Sequence, residues 1–366
     1  MESRAKVAGH PIHPMLIVLP LGLLTSALAF DVIHRITDDV RYGETAFRLA
    51  MVGLVGGALA WITGLVDYLS IPSFTRAKKI GAIHGVANSV VLTLFVIATV
   101  VRGTEEDHLA DGLVLSLEIV AILLAAYAGW LGGELVERLG IGVDRSSRDL
   151  DAKASLETTM KLGDEEEIDR PRGIRADELA ASERHERVGS VESHSKAAGH
   201  ATHPMLVTFP LGLLMAAAVF DIAWLITDDD RWAHAAFHAL AAAVITGVVA
   251  MVPGFIDYRH VPADTRARSV GRLHAIGNVV LVAMLALSWL ARRGNDDHRP
   301  TAVALALSLG AALLSAATGW LGGELHQRLG VGIDPGAFAD APSSLTTRAI
   351  DLRDAADVDA ADRTTR

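Results

Sequence analysis

The stretch GHPIHPMLIVLPLGLL, Gly9 to Leu24, returns as GHATHPMLVTFPLGLL, Gly199 to Leu214, at an offset of 190 residues. Each copy places two histidines ahead of a long apolar run. Without any gap, the same offset carries Ile36-Thr37-Asp38-Asp39 onto Ile226-Thr227-Asp228-Asp229, and Asp67-Tyr68 onto Asp257-Tyr258. It also carries His84 and Asn88 onto His274 and Asn278, and Trp130-Leu131-Gly132-Gly133-Glu134-Leu135 onto Trp320-Leu321-Gly322-Gly323-Glu324-Leu325. The chain is an internal duplication, so identity between the copies separates retained positions from drifting ones.

Four apolar runs occupy the first copy, about Pro14 to Ile36, Thr45 to Ser70, Ile80 to Val101 and Leu109 to Leu135, and the second copy repeats them. Runs of roughly 20 apolar residues cross a hydrocarbon layer about 30 Å thick. Charged or turn-forming segments such as Thr37-Asp38-Asp39 bound them. The 366 residues, 51% hydrophobic and with mean hydropathy +0.34, therefore read as an all-α integral membrane protein: two tandem four-helix bundles, eight helices in all, in parallel repeats. The expected layout is unit one over 1–144, a charged flexible linker over 145–198, unit two over 199–334 and a disordered tail over 335–366. The linker holds ten Lys or Arg and thirteen Asp or Glu, too polar to build a core.

An even number of spans per unit puts the termini and linker on one side. Short segments on that side carry twelve Lys or Arg against seven opposite, among them Arg102 and Arg292, which places the termini in the cytoplasm. The first apolar run lacks a small-residue cleavage site and is expected to stay as a helix. A net charge of −10 spread through loops and tails excludes nucleic acid as a partner. The absence of cysteine excludes disulfides, thiolate zinc sites and cysteine-held iron–sulfur clusters from this chain.

Polar side chains in membrane helices cost roughly 2.5–3.5 kcal/mol on insertion scales, so those retained in both copies are the candidates for function. They are His10, His13, Asp31, Asp67, His84, Asn88 and Glu134, with His200, His203, Asp221, Asp257, His274, Asn278 and Glu324 as counterparts. Threading the chain up and down brings His13, Asp67, His84 and Glu134 to one level from four helices, as bundles do when they build cofactor sites. His13 with His84, and His203 with His274, are the expected cofactor ligands, with His10 and His200 in reserve. Asp67, Asn88, Glu134, Asp257, Asn278 and Glu324 are expected as supporting or metal-binding groups. The chemistry divides between haem b held by two histidines, a divalent metal on the two-histidine, two-carboxylate set, and proton or ion transfer. The competing reading is a structural module whose polar groups cap helix ends and pair with Arg76 or one another. No nucleophile, base and oxyanion set points to catalysis. Small-residue pairs, Gly53/Gly57, Gly81/Gly85 and Gly129/Gly133 with their counterparts, mark expected packing seams. His108 and His298 read as solvated loop residues, and Glu118 has Ser308 as its counterpart.

Through Gly-His-Pro-x-His-Pro-Met-Leu-x-x-x-Pro-Leu-Gly at Gly9 to Gly22, Gly64-x-x-Asp67-Tyr68, Gly81-x-x-His84 with Asn88, and Leu131-Gly132-Gly133-Glu134-Leu135, the chain resembles the bacterial membrane-protein family called domain of unknown function 2231. The resemblance covers both units. It implies a four-helix membrane domain in a bacterial inner membrane. Because some members are joined to Rieske-type iron–sulfur domains, it also implies electron transfer with a redox partner protein. Ala201, where unit one has Pro11, leaves the first His-Pro incomplete in unit two.

Overall fold

The computed structural model describes residues 3–104, 107–143, 191–334 and 337–345. Among the described residues, eight helices are long and apolar enough to cross a membrane: α1 Ile12–Thr37, α2 Val40–Ser70, α3 Arg76–Gly103, α4 Gly112–Arg138, α5 Thr202–Thr227, α6 Asp230–His260, α7 Arg266–Arg292 and α8 Ala302–Arg328. Their boundaries follow local chemistry. Asp39, Thr75 and Asp111 cap α2, α3 and α4 by accepting from the backbone N–H of Arg41, Lys78 and Val114. Pro20 has no N–H to return to the carbonyl four residues back, and α1 breaks there, at Ile17. In the two-residue turn between α1 and α2, Asp38 is left-handed at φ 57°, and hydrogen bonds from Arg41 hold the Asp39 carboxyl down to about 2. α2 starts at Val40, five residues before the apolar run, because the cap at Asp39 sets its start rather than hydropathy.

Each unit also opens with a small hairpin that apolar periodicity does not reveal. β1 (Lys6–Val7) pairs antiparallel with β2 (His10–Pro11), and β3 (Lys196–Ala197) pairs with β4 (His200–Ala201). Gly9 (φ 82°) and Gly199 (φ 87°) make the turns. Unit two is therefore folded from residue 191, inside the segment expected as linker. Residues 145–190 of that expected linker lie outside the described residues.

Within each unit α1 to α4, or α5 to α8, form a ring, and the two rings share one core. Leu23, Leu24, Ala27 and Phe30 of α1 belong to the same buried cluster as Leu213, Leu214, Ala217 and Phe220 of α5. The helices approach so closely that a Cβ on Gly22 would lie 2.2 Å from the Thr208 carbonyl oxygen, and one on Gly212 would lie 2.7 Å from that of Val18. The expected seams hold only in part. Gly53 and Gly57 abut Leu24 and Leu92, and Gly81 abuts Tyr68, but Cβ atoms on Gly85, Gly129 or Gly319 would meet nothing within 4 Å. The crossing that joins the units uses Gly22 and Gly212 instead.

The tail is corrected as well. Residues 337–345 pack on unit one, where Phe338, Ala339 and the fully enclosed Ala341 meet Ile71, Ala77, Leu135 and Leu139. Arg138 donates to Pro342 O, and Ala77 N donates to Ala339 O. The rest of the expected tail, 335–336 and 346–366, lies outside the described residues.

Gly22→Ala is expected to lower stability by about 1–3 kcal/mol or more, since its new carbon meets backbone that cannot rotate away. Gly129→Ala should be neutral within about 0.5 kcal/mol. Thermal unfolding of both variants in detergent distinguishes them.

Candidate functional site

The two leading histidines of each unit come together. His13 enters on the first turn of α1 and donates from Nδ1 to the Ala60 carbonyl of α2, at 2.8 Å. His84, near the start of α3, donates from Nδ1 to the Ala128 carbonyl of α4, also at 2.8 Å. A carbonyl only accepts, so both rings carry their proton on Nδ1, which leaves Nε2 with a lone pair. The ring centroids lie 6.4 Å apart with planes at 86°. Unit two repeats the arrangement: His203 bonds to Ala250 O, His274 bonds to Thr318 O, and the rings stand 6.2 Å apart at 89°. Glycines make room, since a Cβ on Gly64 would lie 2.8 Å from His13 Cε1 and one on Gly132 would lie 3.2 Å from His84 Cε1.

Asn88 joins this pair. Its Nδ2 lies 3.4 and 3.2 Å from the two nitrogens of His84 and 2.9 Å from the His84 carbonyl. An amide almost equidistant from both ring nitrogens sits over the ring face, so it does not occupy the in-plane lone pair of Nε2. Asn278 Nδ2 lies 3.2 Å from His274 Nε2 and 2.8 Å from the His274 carbonyl.

The carboxylates do not join, and the expected four-residue level is corrected. Asp67 receives the Ser3 hydroxyl at 2.7 Å and the Arg4 N–H at 3.1 Å, and so ties the N-terminal segment to α2. Asp257 receives Ser193 and the N–H of His194 in the same way. Glu134, fully enclosed at the end of α4, pairs with Arg76 at 2.9 Å and accepts from the Ser344 N–H at 2.7 Å and from its hydroxyl. Glu324 pairs with Arg266 at 2.9 Å. Among the described residues, no three His, Asp or Glu side chains gather as metal ligands. Up-and-down threading fixes which end a residue occupies but not the direction of its side chain around the helix, and that angle separates these groups.

The reserve histidines exchange units. His10 reaches Glu324 of unit two, Nε2 to Oε2 3.4 Å, with its ring edge-on to Trp320. His200 reaches unit one, 3.9 Å from Glu134 and 3.4 Å from Glu137. Gly133 and Gly323 are their seats, because Cβ atoms there would lie 3.0 and 2.8 Å from the visiting rings. These glycines were expected to seat a helix and instead seat a histidine. Trp130 follows its ring, donating from Nε1 to Ala198 O.

Sequence reasoning missed the strongest ion pairs. Arg102, counted as a flanking charge, is buried on Asp31 at 2.8 and 2.9 Å, and Arg292 is buried on Asp221 at 2.6 and 2.7 Å. The signal was present, because Asp and Arg recur together at the same spacing of 71 residues in both copies. Beside them, His108 and His298 are only partly exposed and stack on Phe47 and Phe237, at 4.5 and 3.8 Å.

Residues 9–145 and 199–335 both match the family described as predicted membrane protein, DUF2231. The chain belongs to that family. DUF2231 here is present twice, and each copy coincides with one four-helix ring and carries its own histidine pair. No curated protein and no solved structure matches the chain.

Removing one partner of a buried ion pair strands the other. Asp221→Asn is therefore expected to cost about 3–5 kcal/mol, read as a lowered unfolding midpoint in detergent, whereas disrupting the exposed Arg41–Asp39 pair should cost under about 1 kcal/mol.

Proposed function

We propose that each DUF2231 unit is a haem-binding electron-transfer module, with His13 and His84 holding one haem b and His203 and His274 holding a second. The observation that carries this reading is the paired imidazoles, nearly perpendicular and 6.4 and 6.2 Å apart, each with Nδ1 anchored on a backbone carbonyl. Metal-bound histidines characteristically give their second nitrogen to such an acceptor, which sets the tautomer and the ring angle. The two imidazoles of each pair would hold the iron through their Nε2 nitrogens. Two imidazole donors, with Asp67 and Asp257 engaged by Ser3 and Ser193, fit a haem iron better than a divalent cation, which prefers three or four protein ligands. When bound, the haem would supply one-electron chemistry. The residues would supply ligation, ring orientation through Ala60 and Ala128, and a contact over the His84 face from Asn88.

A bacterial inner membrane with cytoplasmic termini fits the charge distribution. Burial of Arg102 and Arg292 in ion pairs removes both from the count on the opposite side and widens the bias. A redox partner protein would then exchange electrons with the chain at the membrane face.

Protein produced in iron- and haem-precursor-fed cells should show a reduced-minus-oxidised haem spectrum near two per chain. His84→Ala or His274→Ala alone should halve it, and the pair together should abolish it, with normal elution in detergent. A flat spectrum from well-folded wild type, or an unchanged spectrum in the double variant, overturns the reading and leaves a cofactor-free structural or proton-transfer module.

A further inference from the structure

A second polar cluster lies at the opposite end of unit one, away from the histidine pair. Asp31 of α1, Arg102 of α3 and Glu118 of α4 are all enclosed. Arg102 gives Nη1 and Nη2 to Asp31, places Nη1 3.3 Å from Glu118 Oε1, and spends its remaining donors on the carbonyls of His108 and Gly43, at 2.9 and 3.0 Å. Two carboxyl groups thus share one guanidinium. Other ionisable groups on the surrounding elements have partners of their own, and His34 also acts electrostatically on Asp31. Arg48 of α2 pairs with Glu44 at 3.6 Å, and Asp111 caps α4. His34 of α1 and His108 of the connecting loop turn Nδ1 to the backbone oxygens of Asp39 and Arg102, and His238 of α6 meets the Thr45 hydroxyl.

The duplication supplies the comparison. Unit two keeps the aspartate and arginine as Asp221 and Arg292, but Ser308 stands where unit one has Glu118. The Ser308 hydroxyl donates to Asp221 Oδ2 at 2.6 Å and lies 3.2 Å from Arg292 Nη2. In unit two this position on the last helix is therefore a donor to the buried aspartate. An ionised carboxylate has no hydrogen to donate, whereas a carboxylic acid has one. Glu118 Oε2 is enclosed and accepts no hydrogen bond among the described residues, so no donor stabilises a charge on that oxygen. Ionisation of both acids would leave one uncompensated negative charge inside a membrane bundle, which is strongly unfavourable.

We propose that Glu118 is a proton-binding site, holding an exchangeable proton at neutral pH and donating it in a hydrogen bond to Asp31, and that unit two has no equivalent. Binding is a simple protonation: the carboxylate takes up one proton, and the cluster passes from one net negative charge to neutral. The Arg102 bond to the His108 carbonyl ties the cluster to the loop over it, on the face opposite the chain termini. The two units are then inequivalent at that end, although their histidine pairs match.

Infrared difference spectroscopy of the full chain in lipid at neutral pH tests this. The wild type should show an acid carbonyl stretch that shifts on deuteration. Glu118→Gln and Glu118→Ser, the latter copying unit two, should both lose it, and Ser308→Glu should gain a second band. A difference spectrum between wild type and Glu118→Gln that contains only ionised-carboxylate bands overturns the proposal. Should the variants fail to fold, heavy-carbon labelling of glutamate in the unaltered chain still decides, because an acid band that does not shift with the label, or no acid band at all, overturns it.

Discussion

The close contact of α1 with α5 organises this molecule. Lipid tails are as apolar as leucine, so helices in a membrane gain little from hiding apolar surface from one another and must gain from tight contact. Gly22 and Gly212, equivalent positions in the two copies, let backbone meet backbone, and the shared core of Leu23, Phe30, Leu213 and Phe220 closes around them. That contact sets the two rings side by side. The opening hairpin of each unit then lies over the last helix of the other, and the exchange of His10 and His200 becomes possible. Without the crossing, Gly133 and Gly323 would have no ring to seat.

The two ends of the bundle handle buried charge differently. At the terminal end, Glu134 and Glu324 are enclosed, but each has an arginine that is partly exposed and a histidine from the other unit. At the opposite end, Asp31–Arg102 and Asp221–Arg292 are closed off from solvent altogether. Buried pairs of this kind add little net stability over apolar residues of the same size, but they penalise every arrangement that separates them. Here they tie α1 to α3 and α5 to α7, contacts that the helix order does not otherwise enforce. Nearer the terminal end, the histidine pairs bring together the same helices.

Much of the architecture was legible. The 190-residue repeat, the eight apolar runs and the His13–His84 pairing follow from period, length and retained polar residues, because hydropathy and internal identity record them directly. What was not legible depends on through-space direction. Asp67 and Glu134 lie at the expected end of their helices, yet one holds the N-terminal segment and the other holds Arg76 and Ser344. Arg102 reads as a flanking charge because it ends an apolar run, and only the Asp31 partner reveals it as interior. The hairpins at Lys6–Pro11 and Lys196–Ala201 are too short to leave a periodic trace. Residues 337–345 carry few large apolar side chains, and nothing in their composition records that they cover Glu134.

The exchanged histidines bear on how such a chain arises. A polypeptide with a single unit would present an empty glycine seat at the end of its last helix and a hairpin histidine with nowhere to dock. Two such polypeptides side by side would seat each other's histidine, and joining them end to end gives the arrangement of the present chain. Once covalently fused, the halves are no longer bound to be identical. Glu118 opposite Ser308, and Glu137 opposite Gln327, are substitutions that a symmetric pair would have had to accept twice over and that a fused chain accepts once. Duplication thus supplies a repeated scaffold whose two halves are free to specialise.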